Sequence, residues 1–316
     1  MAPSHAARRK TGAPSPTLGQ LIAHGAKRFK AARLAHGHGL INAYDEAAYL
    51  ALHALGRPPE TLVPLLGLRP TPAQAKKIES LFVRRVRERR PAAYLTREAW
   101  LGEYRFYVDE RAIVPRSYIA ELLREDRVPW LPRDRSVRRA LDLCTGSGCL
   151  AILLAHRFPR ARIDASDVSD DALDVARRNI ADYRLGTRIR PVRSDLYASL
   201  VDRRYDLIVA NPPYVTAAVM QRLPREYRHE PRSALAGGKD GLEFARTIVG
   251  CAPTHLKPGG VLVLEVGHNR RRLERIFPRT PFLWPYTSGG GDCVAIIDRD
   301  DLVNSLAAGS ARARTR

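Results

Sequence analysis

With 316 residues, of which 45% are hydrophobic and 27% are charged, the chain has the composition of a globular protein. It has no apolar run long enough to cross a bilayer and no apolar segment after its basic start, so we exclude an integral membrane protein and a secretory signal and expect a cytoplasmic protein. The 53 lysines and arginines exceed the 33 acidic residues and give a formal net charge of +20. This excess favours a polyanionic partner such as nucleic acid or the ribosome, although an arginine-rich genome would produce it as well.

The amino-terminal third of the chain is predicted to be a basic arm followed by helices. Residues 1–16 contain no acidic residue, and we predict a disordered arm there. The spacing of apolar residues then predicts helices that begin near 17 and that span 43–55 and 72–90. We assign these helices to an amino-terminal domain over 17–99.

The third of these helices has one basic face. Thr71 and Pro72 supply a capping residue and a first-turn proline before it. The basic residues are Lys76, Lys77, Arg84, Arg87 and Arg90. Such a face is either solvated or a surface for contact with ribosomal RNA, and the sequence leaves both open.

A β-hairpin and linker are predicted over 100–136, because aromatic and β-branched residues run from Trp100 to Val114 around a polar turn at 109–111. From 137 to 302, strands and helices alternate at the spacing of a doubly wound, mostly parallel α/β sheet. A basic tail follows over 303–316. Strands are predicted at 139–143, 162–166, 189–193, 206–210, 260–266, 282–285 and 293–297. Helices are predicted at 147–157, 169–184, 240–256 and 270–276.

The first strand of this sheet is followed by a glycine-rich loop. Gly146, Gly148 and Ala151 satisfy the loose dinucleotide fingerprint, in which glycines let the backbone turn tightly and approach a ligand. The next strand ends at Asp167, where a carboxylate accepts hydrogen bonds from ribose hydroxyls. Asp195 follows the third strand and suits either an adenine or a helix cap. These features indicate a nucleoside cofactor without separating NAD from S-adenosylmethionine.

The fourth strand runs into the tetrapeptide Asn211, Pro212, Pro213 and Tyr214. Two prolines cannot join a sheet ladder, so the strand must end there, at the edge where open α/β sheets bind ligands. The backbone carbonyls of Asn211 and Pro212 and the Asn211 side-chain oxygen can accept both hydrogens of a planar NH2 group. Tyr214 can stack on the plane of that group. Holding the nitrogen in line with an electrophilic methyl points to methyl transfer from S-adenosylmethionine.

In order and spacing, the motifs DLCTGSG, DVSDDAL, SDLY, NPPYV and GGKDGLEF resemble those of the protein-(glutamine-N5) methyltransferases, which are class I, Rossmann-like S-adenosylmethionine enzymes. Within that family the chain is most similar to the branch that acts on large-subunit ribosomal protein uL3. Three segments carry that similarity, namely GHGLINAYDEA at 37–47, the stretch at 84–122, and LPREYRHEPRSALAGGKDGL at 223–242. The resemblance covers about 18–300 and implies that the amino-terminal domain recognises the substrate.

The resemblance also implies roles for single residues. It assigns Arg116 to the mouth of the site, and Cys144 stands where relatives often have glycine. The cofactor-binding residues that it implies are Thr145, Gly146, Ser147, Gly148, Asp167, Asp195, Leu196 and Asn211. The residues that it implies hold the target amide are Asn211, Pro212, Pro213 and Tyr214.

Other functions remain open at this point. The same family contains enzymes that methylate peptide chain release factors, and an adenine-specific nucleic-acid methyltransferase would use the same cradle for an NH2 group. A noncatalytic assembly factor that binds ribosomal RNA through the basic arm is a third possibility. The four cysteines are scattered, with neither a C-x-x-C pair nor clustered histidines beside them in sequence, so we expect reduced thiols and no metal site.

Overall fold

The computed structural model of the protein describes residues 15–128 and 137–313, and from 308 onward it describes only the course of the backbone. Two compact units divide at Thr96 and Arg97. The predicted arm lies outside the described residues, apart from its last two positions. No helix in the described ranges is both long and apolar enough to pass through a membrane.

Helices make up the first unit, as the apolar periodicity predicts. Thr17 and Thr71 each accept a hydrogen bond from the third residue of the helix that follows, and that residue's glutamine side chain bonds back to the cap. The unit's core includes Phe29 and Phe82, whose rings meet edge to face at 5.5 Å. The helices of this unit are α1 (Leu18–Ala31), α2 (Ala43–Ala54), α3 (Leu62–Leu65), α4 (Pro72–Glu88) and α5 (Ala92–Thr96).

The second unit begins with an antiparallel hairpin of β1 (Glu98–Leu101) and β2 (Tyr104–Tyr107). A hairpin is present as predicted, but it spans 98–107 instead of 100–114, and the predicted turn at 109–111 is wrong. The chain reverses at Gly102, whose φ of +63° suits a tight turn that other residues rarely make. Helix α6 (Tyr118–Arg124) follows the hairpin.

A mixed sheet forms the centre of the second unit, which confirms the predicted doubly wound architecture. In the described chain its order is β5-β4-β3-β6-β7-β8, with all neighbours parallel except β7 and β8. The strands are β3 (Arg139–Leu143), β4 (Arg162–Asp167), β5 (Ile189–Arg193), β6 (Tyr205–Ala210), β7 (Leu256–Glu265) and β8 (Val294–Asp298). The helices are α7 (Cys149–Arg157), α8 (Asp170–Asp182), α9 (Ala217–Met220), α10 (Glu243–His255), α11 (Arg270–Ile276) and α12 (Arg299–Ala313).

Two local predictions in this unit were wrong. The stretch 282–285 is not a strand, because only Leu283 pairs with the sheet, through a bridge to Ile296. Pro281 and Pro285 flank that bridge and cannot donate to a ladder. Helix α7 begins at Cys149 rather than at 147, because Gly148 has a φ of +80° and lies outside helical conformations.

Both faces of the sheet are covered by apolar side chains. One core packs Leu207, Val209 and Val263 against α6 and α7, and the other packs Ile208 and Leu262 against α10. Because both faces are buried, the open positions for a ligand lie at the ends of the strands.

Candidate active site

The predicted site residues lie along one edge of the sheet. Strands β5, β4, β3 and β6 are neighbours in that order, and all four are parallel, so the segments after them adjoin at the carboxyl edge. Backbone hydrogen bonds join these segments, from Thr145 N to Ser166 O and from Ser194 N to Asp167 O, each at 2.9 Å. The edge therefore brings the glycine loop, the two aspartates and Asn211 into one row.

The glycine loop has the backbone that its sequence predicts. Gly146 has a φ of +54°, and a Cβ at Gly148 would lie 3.1 Å from the Cβ of Ala176 on α8. Cys144 also has a positive φ of +61°, a backbone conformation that favours glycine. The loop thus approaches α8 closely, and among residues 145–148 only Gly146 is not buried.

Asp167 bridges the loop and the next helix. Its Oδ2 accepts a hydrogen bond from Gly146 N at 2.9 Å, and its Oδ1 accepts one from Ser169 N at 3.0 Å. Burial raises the pKa of this carboxyl. Each oxygen retains a second acceptor position, so a ribose with two hydroxyls can bind without displacing either backbone bond.

The two other residues assigned to the cofactor follow β5. Asp195 is exposed, and Leu196 is half-buried with a φ of +45°. The Ser194 hydroxyl donates to Leu196 O at 2.6 Å and accepts from Ser199 N at 3.0 Å, which fixes the turn. The turn therefore presents Asp195 to solvent at the same edge as Asp167.

Asp142 is a functional residue that the sequence analysis missed. It is buried, and its Oδ2 accepts hydrogen bonds from the Thr145 hydroxyl and from Ala151 N, which holds the glycine loop onto α7. Its Oδ1 has no hydrogen-bond partner among the described residues. Burial raises its pKa to about 7, against the effect of these two bonds. An acid directly before a glycine loop was the signal available in the sequence.

Asn179 on α8 is a second residue that we missed. Its Nδ2 donates to Ser147 O at 2.8 Å and to Tyr107 O at 3.0 Å, and its Oδ1 accepts from Tyr107 N at 2.7 Å. It therefore joins the hairpin to the glycine loop. A polar residue on the buried face of an amphipathic helix could have indicated this role.

The Asn211 side chain is oriented by the segment after the hairpin. Its Nδ2 donates to Arg116 O at 3.2 Å, which leaves Oδ1 as the free acceptor. In the described part of the chain neither this Oδ1 nor the carbonyl of Pro212 accepts a hydrogen bond. Two acceptors are thus available at the end of β6, as the cradle hypothesis requires.

Tyr214 is held by a buried acid that the sequence analysis did not select. The Tyr214 hydroxyl donates to Glu265 Oε1 at 3.4 Å, while Glu265 Oε2 accepts from Ser117 Oγ at 2.6 Å and from Tyr118 N at 2.9 Å. Burial raises the pKa of Glu265 to about 7. Burial, and then the charge of Glu265, raise the pKa of Tyr214 well above its usual value. Tyr214 therefore remains a neutral hydrogen-bond donor.

Glycines from two segments pack directly against Tyr214. A Cβ at Gly237 would lie 2.6 Å from Tyr214 Cα, and one at Gly241 would lie 2.4 Å from Tyr214 O. A Cβ at Gly267 would lie 2.8 Å from the Tyr214 ring. The GGKDG sequence is thus explained by its close approach to the tetrapeptide.

The half-buried Arg116 and the buried Glu230 form an ion pair next to Asn211. Arg116 donates to both Glu230 oxygens, at 2.6 and 2.8 Å, and Val114 N also donates to Glu230. Burial lowers the Arg116 pKa, but the Glu230 charge outweighs it and the net shift is upward. We predicted Arg116 at the mouth of the site. The structure places its backbone against Asn211 and its guanidinium on the loop at 225–234.

A cavity of about 1020 Å³ opens beside Tyr214. The tetrapeptide and the residues after it form one side of this cavity, and α11 forms the other. It is lined by Tyr214, Val215, Thr216, Val219, His268, Asn269, Arg270, Arg271, Arg272, Glu274, Arg275 and Asp292.

His268 at this cavity lies beside a cysteine, contrary to the scattered arrangement that the sequence indicates. Its Nδ1 lies 3.1 Å from Asp292 Oδ1 and 3.7 Å from Cys293 Sγ. Burial and then the Asp292 charge raise the pKa of Cys293 to about 12, so its thiol is protonated. We therefore interpret the group as a histidine–aspartate pair with a neutral thiol beside it.

The chain is similar to known methyltransferases. Residues 128–227 match the family model "Methyltransferase small domain". The ribosomal protein uL3 glutamine methyltransferase of Bordetella pertussis is 52% identical over 90% of this chain and 96% of its own length. The enzyme of the same name from Neisseria meningitidis serogroup B is 50% identical over 91% of this chain and 94% of its own length. A crystal structure of a methyltransferase from Pyrococcus furiosus is 21% identical, with a TM-score of 0.44, over 61% of this chain and 88% of that one.

Proposed function

Because the chain belongs to the family of ribosomal protein uL3 glutamine methyltransferases, we propose that it methylates the side-chain amide nitrogen of a glutamine in ribosomal protein uL3. The observation that supports this most directly is the pair of free acceptor oxygens after β6, next to the glycine loop and Asp167. A planar NH2 group fits two such acceptors, and the neighbouring edge fits a nucleoside cofactor.

S-Adenosylmethionine is the cofactor, and it supplies an electrophilic methyl group. The residues at the edge fit it, because Asp167 has acceptor capacity for ribose hydroxyls and the buried Asp142 Oδ1 lacks a partner among the described residues. We assign the methionine end to Thr145, Gly146, Ser147 and Gly148, the ribose to Asp167, and the adenine to Asp195 and Leu196. Asn211 borders both cofactor and target.

The target amide is held by Asn211, Pro212, Pro213 and Tyr214 in this proposal. Asn211 Oδ1 and Pro212 O accept its two N–H bonds, and the neutral Tyr214 ring covers its plane. An amide nitrogen is a poor nucleophile because its lone pair is delocalised, so orientation towards the methyl is the main catalytic contribution. The two oxygens also stabilise the positive charge that develops on nitrogen until its proton leaves.

The wider setting follows from the substrate. A modifier of a ribosomal protein works in the cytoplasm, where we place this protein. We propose that the helical domain over 17–99 recognises uL3 and that the hairpin and linker over 100–136 connect it to the catalytic domain over 137–302. Residues 1–16 lie outside this core in the proposal, whereas the predicted tail at 303–316 starts within α12, where Leu306 packs against the core of the second unit.

We also propose that the enzyme contacts ribosomal RNA when it binds its substrate. Ribosomal proteins are basic, and a chain of net charge +20 repels a free basic substrate. RNA in an assembly intermediate would supply the attraction, through the basic face of α4 and the arm. Rates on free uL3 and on RNA-bound particles, compared at several salt concentrations, test this. A particle that gives no advantage, or a rate without salt dependence, would refute it.

The experiment that tests the activity is transfer of labelled methyl from S-adenosylmethionine to purified uL3, peptide release factor and DNA in parallel, followed by mass mapping. We expect one methyl group on a glutamine amide of uL3. Label on the release factor would retain the chemistry and reject the substrate. Label on an adenine of DNA would reject a protein substrate, and no label at all would favour a noncatalytic role.

A further inference from the structure

One wall of the cavity beside Tyr214 is made of arginines. Helix α11 contributes Arg270, Arg271, Arg272 and Arg275 to it, and we call this surface the arginine wall. The facing wall contains Val215, Thr216 and Val219, which carry no charge. The two sides of the cavity therefore suit different chemistry.

The charge of the arginine wall is only partly compensated. The two acidic residues that line the cavity already have partners. Glu274 pairs with Arg270 at 3.0 Å, and Asp292 pairs with His268 at 3.1 Å. Arg271, Arg272 and Arg275 have no carboxylate partner among the described residues.

These three arginines bond only to neutral groups where the structure shows a bond. Arg272 donates to Asp240 O at 3.0 Å and to Asn269 Oδ1 at 3.3 Å, and Arg275 donates to Arg271 O at 3.2 Å. All three side chains are exposed. An exposed, uncompensated positive wall is typical of an anion-binding surface.

We propose that the arginine wall binds phosphates of an RNA strand that lies next to the glutamine-bearing segment of the substrate, while the uncharged wall contacts that segment. This inference rests on the proposed function, because only a substrate bound to RNA brings phosphates to the target amide. Arg271 and Arg275 are four residues apart and lie on one side of α11, about 5–6 Å apart at Cβ. That separation suits consecutive phosphates of one strand better than a single carboxylate of a peptide.

The test compares two doubly substituted proteins of equal charge. Arg271→Glu/Arg275→Glu reverses the wall. Arg160→Glu/Arg162→Glu reverses two exposed arginines at the amino edge of the sheet, the opposite end of the strands. Affinity for a ribosomal RNA fragment that contacts uL3 is measured against salt, and methyl transfer is measured on free uL3 and on uL3 bound to that fragment.

We expect the wall variant to lose about 1.4–1.8 from the slope of log affinity against log salt, which corresponds to two phosphate contacts at 0.7–0.9 each. Its rate on RNA-bound uL3 should fall at least about fivefold more than its rate on free uL3. The amino-edge variant should retain most of the salt slope and most of the rate on RNA-bound uL3. Arg271→Gln/Arg275→Gln should show smaller losses of salt slope and of rate on RNA-bound uL3. It is used in place of Arg271→Glu/Arg275→Glu if thermal melting shows that the charge-reversed protein is unfolded.

Several outcomes would overturn the proposal. An unchanged salt slope with unchanged rates would show that the wall contacts no RNA, and an equal loss in the amino-edge variant would reduce the effect to overall charge. An equal loss on free and RNA-bound uL3 with an unchanged slope would assign the wall to an acidic peptide. Failure of the unsubstituted enzyme to methylate either form of uL3 would refute the proposed function instead.

Discussion

Asn211 is the residue on which the proposed chemistry depends most. Asn211→Ala removes the Oδ1 acceptor and also the bond from Nδ2 to Arg116 O. We expect turnover to fall by about a hundredfold or more, the scale of losing one oriented polar contact to a developing charge. Single-turnover methyl transfer measures it, with S-adenosylmethionine affinity determined by calorimetry.

A matched control for Asn211→Ala is Asn304→Ala, an exposed asparagine on α12 far along the chain from the tetrapeptide. It should retain its turnover within about twofold, as expected for a surface substitution away from special features. Near-normal turnover of Asn211→Ala would remove the amide-cradle mechanism.

Glu265 gives the site a pH dependence whose sign can be derived. Its folded pKa of about 7 lies above the ordinary value of 4.5 for a glutamate, so the folded state favours the protonated form. Stability from this group is present at low pH and is lost as pH rises from about 4.5 to 7. Glu265→Gln cannot ionise but keeps an acceptor for Ser117 Oγ and Tyr118 N.

Between pH 5 and 8 the unfolding free energy of the wild type should therefore fall relative to Glu265→Gln by about 1–3 kcal/mol, at about 1.4 kcal/mol per pKa unit. Urea unfolding at a series of pH values measures the difference. Glu60→Gln, an exposed position with the same change of charge, serves as the control and should follow the wild type. Parallel curves for all three proteins would show that Glu265 does not titrate in this range.

The residues that we propose contact the ligands were easier to select from the sequence than the residues that hold them in place. Asn211 to Tyr214 and Gly146 to Asp167 are recognisable because prolines, glycines and an acid follow apolar strands. Asn179 and Glu265 act through contacts with segments 32 to 148 residues away, and local sequence patterns do not show such pairings. The sequence around Glu265, for example, does not show that this acid contacts Tyr214.

At the scale of elements, the close packing of the GGKDG segment on the tetrapeptide gives a steric prediction. A Cβ at Gly237 would lie 2.6 Å from Tyr214 Cα and 2.7 Å from Pro213 O, and these backbone atoms cannot move without shifting the cradle. Gly237→Ala should cost about 1–3 kcal/mol of stability and lower turnover by about 10–100-fold. Thermal unfolding and methyl transfer measure the two effects.

Gly250→Ala provides the contrast, because nothing lies within 4 Å of a Cβ at this position in α10. Replacing a helical glycine there should stabilise the protein by about 0.5–1 kcal/mol with unchanged turnover. If Gly237→Ala behaved like Gly250→Ala, the tight contact with Tyr214 would be wrong.

The elements that were predicted least well are those set by pairing rather than by pattern. Strands with mostly apolar runs, such as β3 and β6, were located closely, whereas β7 begins four residues before its predicted start. The stretch at 282–285 has aromatic and apolar residues but two flanking prolines, and the sheet accepts only one of its residues. The hairpin turn at Gly102 was missed because the acidic, polar stretch at 109–111 has the more usual turn composition.

For the whole molecule, the change from helices to alternating strands and helices predicted more than one unit, but not where the first unit keeps its buried charges. Arg85 is fully buried on α4 and donates to Glu46 of α2, from Nε to Oε1 at 2.7 Å. Glu46 also contacts His36 Nδ1 at 2.8 Å. Arg85 is not one of the five residues that we predicted on the basic face, because it follows Ile78, Leu81 and Phe82 at helical spacing on the buried face of α4.

Removing Arg85 should therefore destabilise the first unit far more than removing its neighbour. Arg85→Ala leaves the buried Glu46 without its arginine partner. In the intact protein, burial raises the Glu46 pKa, but the bonds with His36 and Arg85 outweigh this effect and the net shift is downward. Breaking a buried pair in this way costs about 3–5 kcal/mol. Arg84→Ala removes only a partly exposed pair with Glu88 and should cost less than about 1 kcal/mol. Calorimetric unfolding compares them, and Arg85→Met/Glu46→Gln should recover much of the loss because no charge is then left unpaired. Equal transitions for the two alanine variants would show that the Arg85 pair does not stabilise the helical unit.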